Sequence, residues 1–452
     1  MKPSSRKIKL AIISILALTT VIAFQNFFQP GPITSRGINQ VGMVTSGVTA
    51  TGEDYKSQID AMSAAGLHYL RILYQGDKPK DIVSSCTNET KSDQNFTRML
   101  DVIEYAHRKR MKILLLISMT DCHFYSPKAE KRPQWPTAPR AGDQIFFAVH
   151  KISNLDLDRF QSRWTALVRA LQNRKLNLDA VQFGNEINNS VFNGDLPMPM
   201  MTGGSGVMLN ENNSNLYLEE MRRFTLSNQL ISWAMRYARS SKTIGELKDT
   251  LFVGPSLTHM ANWWVTRKGV SFVDPTYAFK QFQWSNFANL VDKYSMNVYP
   301  SVSRENSEVP NCKLEGGDSI TAWQAYLCAN SYLQRDITEI AKMARTPSLE
   351  SGLSQQSFWI TETGFSNLET DANKIADRDN DRTLLFQGLT RALVEFNLSN
   401  SVVLERVFVF NWDEPSSVVT NPQTGEKMPI WAIWKDNQVL HGAQQLINSL
   451  AP

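Results

Sequence analysis

Histidine and cysteine are sparse in this sequence. Its 452 residues include six histidines and four cysteines. None falls in an H-x-H, H-E-x-x-H or C-x-x-C spacing, so no dedicated metal site is expected. No glycine-rich dinucleotide or phosphate loop follows the first apolar strand, which disfavours the doubly wound nucleotide folds. Basic residues cluster only in the first nine positions, and the net charge of +4 is otherwise spread along the chain. That is no footprint for a nucleic acid. None of the strands read below ends in a lysine, which argues against a Schiff-base aldolase. No internal repeat and no linker after residue 36 are visible, and no cofactor is implied.

What is present at the N-terminus is Lys2, Arg6, Lys7 and Lys9, followed by an apolar run over 10–24. Charge before about fifteen apolar residues is the pattern of a secretory signal, slightly short for a spanning helix. An uncleaved membrane anchor is the alternative. Either way the body of the chain is expected outside the cytoplasm, and an even cysteine count suits an oxidising compartment. Residues 1–36 are read as this leader with a short linker, and 37–452 as one catalytic domain, a monomer.

Beyond the leader, short apolar β-type runs alternate with longer amphipathic segments. Strands are expected over 37–44, 69–74, 112–118, 180–184, 251–257, 294–299, 358–361 and 407–412. Helices are expected over 55–65, 95–108, 156–174, 218–240, 286–292, 323–344 and 382–395, with a last one after His441. Runs such as Ile113-Leu114-Leu115-Leu116-Ile117 mark strands buried on both faces, as in parallel sheets. Eight alternating units predict an α/β fold, a (β/α)8 TIM barrel. Three long connections, 120–155, 187–217 and 301–321, each follow a strand. They are therefore expected on the C-terminal face, where barrel active sites lie.

Two glutamates stand at strand ends. Glu186 closes the run from Ala180 on the fourth strand, and Glu362 closes the run from Phe358 on the seventh. Asn-Glu also occurs at Asn88-Glu89 and Asn210-Glu211, but without a strand before it. A pair of carboxyl groups on separate strand ends is what glycosidic bond cleavage needs: one protonates the leaving oxygen, the other attacks the anomeric carbon or activates water.

The motifs resemble those of clan A of the retaining glycoside hydrolases, from about residue 37 to 434. The run Val181-Gln182-Phe183-Gly184-Asn185-Glu186-Ile187 is similar to the galactanase family of that clan. Met296-Asn297-Val298-Tyr299-Pro300, Thr361-Glu362-Thr363-Gly364-Phe365-Ser366 and Asp413-Glu414-Pro415 are more similar to its β-1,3-glucanase family. The resemblance implies a (β/α)8 barrel, with Glu186 as acid/base and Glu362 as nucleophile of a double displacement on an oligo- or polysaccharide. Asn185 would then hydrogen-bond a sugar hydroxyl beside the reacting carbon. Tyr299 would orient Glu362, and Arg71 would hold it with a fixed positive charge. Trp412 would be the floor under the reacting sugar, or else plain core. Many clan members carry His-x-Tyr on the sixth strand; Asn297-Val298-Tyr299 keeps the hydrogen-bonding side chain without the titration.

Other residues near the expected cleft are Asp121 and His123 after the third strand, and His259, Asn262, Trp263 and Trp264 after the fifth, where aromatic faces stack on sugars. Asp413 and Glu414 are spare acids; Trp431 and Trp434 read as packing. From their places in the loops, the cysteines are expected to pair as Cys86–Cys122 and Cys312–Cys328. Two rival readings use the same barrel: a transglycosylase, in which a sugar hydroxyl replaces water, and a non-catalytic carbohydrate-binding barrel. The second would be expected to have lost one of the two glutamates.

Overall fold

The structure, a computed structural model, describes residues 40–44, 55–74, 92–130, 132, 149–198, 205–243, 247–259, 265, 269–284, 287–302, 309, 311–314, 319–344, 357–366, 375–399, 403–412, 418–420, 427–429, 431–435 and 437–450. Its main sheet is built from β1 (Gln40–Val44), β2 (Tyr69–Leu73), β3 (Lys112–Ile117) and β4 (Ala180–Phe183). It continues with β5, in two pieces (Leu251–Val253 and Leu257–Thr258), then β6 (Tyr294–Asn297), β7 (Ser357–Thr363) and β8 (Val403–Val409). Every pairing in it is parallel. The order runs from the first piece of β5 through β4, β3, β2, β1, β8, β7 and β6 to the second piece of β5. Both ends of the sheet are thus pieces of one strand, and Val253 also bridges Lys293 beside β6. The sheet closes on itself, and the fold is a (β/α)8 barrel.

A helix follows each strand: α1 (Tyr55–Ala64), α2 (Ser92–Arg108), α3 (Leu157–Arg174), α4 (Leu218–Ser240), α5 (Pro275–Trp284), α6 (Ala322–Leu333), α7 (Ile375–Ser399) and α8 (His441–Ser449). Strand residues alternate between two environments, as the two-residue period demands. Ile113, Leu115, Ile117, Val181, Phe183 and Val407 join the apolar layer between barrel and helices. Tyr69, Leu114, Ala180, Val253, Trp359 and Phe408 form a separate buried cluster inside the barrel. Gly42 is what admits this filling. A Cβ there would lie 2.4 Å from two Phe408 ring carbons and 2.9 Å from Tyr69 Cβ.

Three expectations need correction. The strand expected over 251–257 is broken, because Pro255 has no amide hydrogen for a ladder; the break turns Ser256 toward the barrel interior, where its hydroxyl meets Asn185. The helix expected over 286–292 is only a 3₁₀ turn at Phe287–Asn289, and the true α5 lies earlier. It starts on Pro275 with Asp274 accepting from the backbone N–H groups of Thr276 (2.9 Å) and Tyr277 (3.2 Å). The helix expected over 323–344 passes from α6 through a π-helical turn (Gln334–Thr338) into Glu339–Ala344.

The described parts of the 187–217 connection, 187–198 and 205–217, are tied down at both ends. Asn188 donates to the carbonyls of Thr258 and Val273, both at 2.8 Å. Met208–Leu209 pairs in parallel with Phe272–Val273. Cys312 and Cys328 form a disulfide, with Cα atoms 4.7 Å apart, as expected. Cys122 is also disulfide-bonded; Cys86, its expected partner, lies outside the described residues, as does the 1–36 leader. Among the described residues no helix is long and apolar enough to cross a membrane.

Candidate active site

Above the apolar plug, the barrel interior turns polar. The inward positions that follow Tyr69, Ala180 and Trp359 on their strands are Arg71, Gln182 and Thr361, all buried. Arg71, 2% exposed, spends its fork on three partners: Nη1 on Glu362 Oε1 at 2.5 Å, Nη2 on Asn185 Oδ1 at 2.9 Å and Nε on Gln182 Oε1 at 3.0 Å. Gln182 passes the network on, donating to Ser295 Oγ at 3.2 Å and Thr361 Oγ1 at 3.4 Å. A buried guanidinium is tolerable only when its donors are satisfied in this way.

Glu362 ends β7. Arg71 engages one of its oxygens, and Tyr299 donates to the other, Oε2, at 2.7 Å. The Tyr299 hydroxyl is held well above its ordinary titration range, first by burial and then by the charges of Glu362 and Glu186. It therefore remains a donor throughout the physiological range.

Glu186 sits just past β4 on a tight turn. Gly184 has φ +93°, and a Cβ there would meet Ile187 Cγ2 at 2.6 Å. Glu186 itself has φ +44°, a region that non-glycine residues rarely occupy and that clusters at functional sites. Its backbone N–H is held by Ser256 Oγ at 2.9 Å. Its carboxyl accepts from Asn297 Nδ2 at Oε1 and from Asn189 Nδ2 at Oε2, both at 3.0 Å. Burial, and then the neighbouring Glu362 charge, push Glu186 up to about 7, against the opposing pull of the two amides and Arg71. Two carboxyl groups in one pocket thus have different environments: one between a guanidinium and a phenol, the other between two neutral amides.

Asn185 links the two halves. Its Oδ1 accepts from Arg71 (2.9 Å), Ser256 (3.0 Å) and Asn297 (3.2 Å), so its NH2 end faces away from these three groups.

Of the residues expected at this site, Arg71, Asn185, Glu186, Asn297, Tyr299 and Glu362 are brought together in one hydrogen-bonded cluster. Trp412 is not an open floor. Its ring is fully buried and stacked on Trp434, centroids 4.7 Å apart, so the packing alternative holds in this structure. His259 does not join the cluster either. Thr258 pairs with Asn297 on the inward face, so the next side chain turns outward, against Phe272 and with Nδ1 4.0 Å from Asp336 on the π-helical turn. Asp121 and His123 bond each other at 2.6 Å. With Cys122 they form a group close enough to hold a metal ion, but the disulfide leaves Cys122 no thiolate to offer. Trp431 packs edge-on against Tyr299 at 5.5 Å. Asn262, Trp263, Trp264, Asp413 and Glu414 lie outside the described residues.

Sequence reasoning missed Gln182, Asn189, Ser256, Ser295 and Thr361. Gln182 carried a usable signal. A glutamine inside a strand buried on both faces needs partners, and the two-residue period puts it on the interior face.

No protein-family model matches this chain, and no curated protein matches it. Among solved structures it is similar to a fungal β-1,4-galactanase (11% identity, 91% of this chain and 99% of that one, TM-score 0.48). It is also similar to GH5_18 from Streptomyces cattleya in complex with GlcNAc (11%, 92% and 80%, 0.47). A third is a GH5-4 broad specificity endoglucanase from Clostridium acetobutylicum (12%, 91% and 97%, 0.44). These are glycoside hydrolases, the class that the strand-end motifs resemble. At such distances they assign neither family nor substrate.

Proposed function

We propose that the chain is a retaining glycoside hydrolase acting on a poly- or oligosaccharide, with Glu362 as nucleophile and Glu186 as acid/base. One observation carries the reading. Two carboxyl groups from β4 and β7 share the C-terminal mouth of a closed barrel, in environments suited to opposite protonation roles.

In the first step a Glu362 oxygen attacks the anomeric carbon. Glu186 gives its proton to the glycosidic oxygen, and the bond from that carbon to the leaving sugar breaks. In the second, Glu186, now a carboxylate, takes a proton from water as the water oxygen attacks the same carbon and frees Glu362. Arg71 and Tyr299 hold the nucleophile's direction. The NH2 of Asn185 is placed to bind a hydroxyl of the reacting sugar, a contact that strengthens as charge develops. Arg71, Asn185, Asn297 and Tyr299 are thus the site's binding and orienting residues. The remainder of the proposal is an exported, monomeric protein whose catalytic domain spans 37–452.

The test is hydrolysis of β-glucans, β-galactans, β-mannans and aryl β-glycosides, with ¹H NMR of the first-formed anomer. Retention supports the double displacement. The inverted anomer rejects that mechanism, and no turnover on any member of the panel rejects the hydrolase. Glu362→Gln should be inactive on every substrate. Glu186→Gln should still release an activated aryl group, which needs no proton.

A further inference from the structure

The mechanism above uses Asn297 and Glu362 as the neighbours of Glu186. It leaves unexplained the amide on the other oxygen. Asn189, 2% exposed, lies three residues beyond Glu186 and donates from Nδ2 to Oε2 at 3.0 Å. That amide cannot be turned round. Its Oδ1 accepts the backbone N–H of Val191 at 3.0 Å, a local Asx turn, so only its NH2 end can face the carboxyl. Asn297 is fixed in the same sense, because its Oδ1 accepts the Thr361 hydroxyl at 2.8 Å.

The Asn189 backbone is anchored independently of its side chain. Its N–H donates to the Glu186 carbonyl at 2.8 Å, and the residue bridges Phe272. The next residue, Ser190, donates to the Ser271 carbonyl at 2.8 Å and accepts from the Ser271 N–H at 3.0 Å. The side chain can therefore be changed while the segment stays in place.

We propose that Asn189 is a positioning residue for the acid/base: its locked amide, able only to donate, pins the Glu186 carboxyl in the rotamer that delivers and recovers the proton. The proposal rests on the assignment of Glu186 as acid/base. The groups that face this carboxyl are Glu362 from β7, Arg71 from β2, Asn297 and Tyr299 from β6 and its end, and Asn189 itself. Burial and Glu362 favour the protonated form. Arg71 and the two amides favour the carboxylate, because a donor bonds an anion more strongly than a neutral acid. Without Asn189 the acid keeps its proton to higher pH, and the carboxylate needed as base in the second step is scarcer and less well aimed.

The test uses two full-length variants. Asn189→Leu removes the donor to Glu186, and the acceptor for Val191, without adding charge; Asn189→Asp keeps the acceptor but replaces the donor with a carboxylate, whose charge adds to the rise. The Glu186 carboxyl is followed by ¹³C NMR titration of Glu-labelled protein, assigned by difference against Glu186→Gln. Its midpoint should rise by at least half a pH unit in both variants. In step with it, the alkaline limb of kcat/KM should move upward. On an activated aryl glycoside kcat and KM should fall together by about tenfold, as the glycosyl-enzyme accumulates. A midpoint unchanged in Asn189→Leu, whatever Asn189→Asp does, overturns the proposal and leaves Asn189 as a turn former. Shifted midpoints in the two variants, with no glycoside turned over by the wild-type protein, would instead sink the hydrolase reading while the bond itself stood.

Discussion

Replacing Arg71 by Met is the substitution with the largest consequence outside the two glutamates. Arg71 is buried, ion-paired to Glu362 at 2.5 Å, and also donates to Gln182 and Asn185. Removing one member of a buried pair leaves the other charge uncompensated, a loss of about 3–5 kcal/mol. Gln182 Oε1 also loses its Arg71 donor, which adds about 1–3 kcal/mol where no water replaces it; Asn185 Oδ1 still has Ser256 and Asn297. A total near 5 kcal/mol is a third or more of the stability of an ordinary domain. Urea unfolding followed by tryptophan fluorescence measures it as a fall in midpoint at unchanged slope. Arg71→Lys keeps the charge but not the fork, so it should lose about half as much. Both variants should lose at least about a hundredfold in kcat/KM, because a nucleophile displaced by an ångström attacks poorly. If Arg71→Met unfolds within about 1 kcal/mol of wild type and keeps activity within tenfold, the pair does not have the role argued here.

Glu186, pushed up to about 7, predicts that the acid-assisted first step fades as pH rises through about 7; activated and unactivated leaving groups compared across pH should differ on that limb alone. The same shift has a stability consequence. A carboxyl raised above its unfolded value contributes stability that is fully present below about 4.5 and lost as pH rises through about 7. Glu186→Gln should therefore flatten that part of the pH–stability curve, as read by thermal melts. Gly42→Ala places a methyl 2.4 Å from the Phe408 ring and should cost about 1–3 kcal/mol by overpacking, visible as a lower melting temperature. Opening Cys312–Cys328 by a double Ser substitution should cost about 2–4 kcal/mol; a midpoint unchanged under reducing and oxidising conditions would contradict it.

Much of the barrel was legible because its strands are buried on both faces, and such strands show as apolar runs that side-chain alternation cannot blur. β8 shows the limit. Its start, Val403–Leu404, was missed because Glu405 and Arg406 interrupt the run, and those charges are stabilised locally. Glu405 pairs with Lys293 at 2.7 Å and accepts from Trp359 Nε1 at 3.2 Å. α5 was misplaced because Tyr277, Phe279, Phe282 and Trp284 are weak helix formers. Asp274-Pro275, a capping residue before proline at the first helical position, was the cue to weigh more heavily. At the site, the ionisable residues could be read because strand ends imply a shared mouth. Trp412 and His259 were placed by the same logic, and it failed for them. A strand-end position does not decide which way a ring turns, and at 259 the alternation set by Thr258 points outward. Of the two amides on the Glu186 carboxyl, Asn297 could be read at its strand end, but Asn189 was invisible for a different reason. Asn188, Asn189 and Asn193 look like a solvated loop until the fold buries them.

The central claim is that Glu362 bonds covalently to the sugar while Glu186 moves the proton. Its most direct test is trapping. The wild-type protein is incubated with 2-deoxy-2-fluoro-β-glycosyl fluorides of glucose, galactose and mannose, whose first step outruns the second. Intact-mass and peptide mass spectrometry then locate the adduct. The account predicts one added fluoroglycosyl group, carried by the peptide containing Glu362 and absent from Glu362→Gln. An adduct on Glu186, or turnover of natural glycosides with no adduct from any of the three sugars, would contradict it.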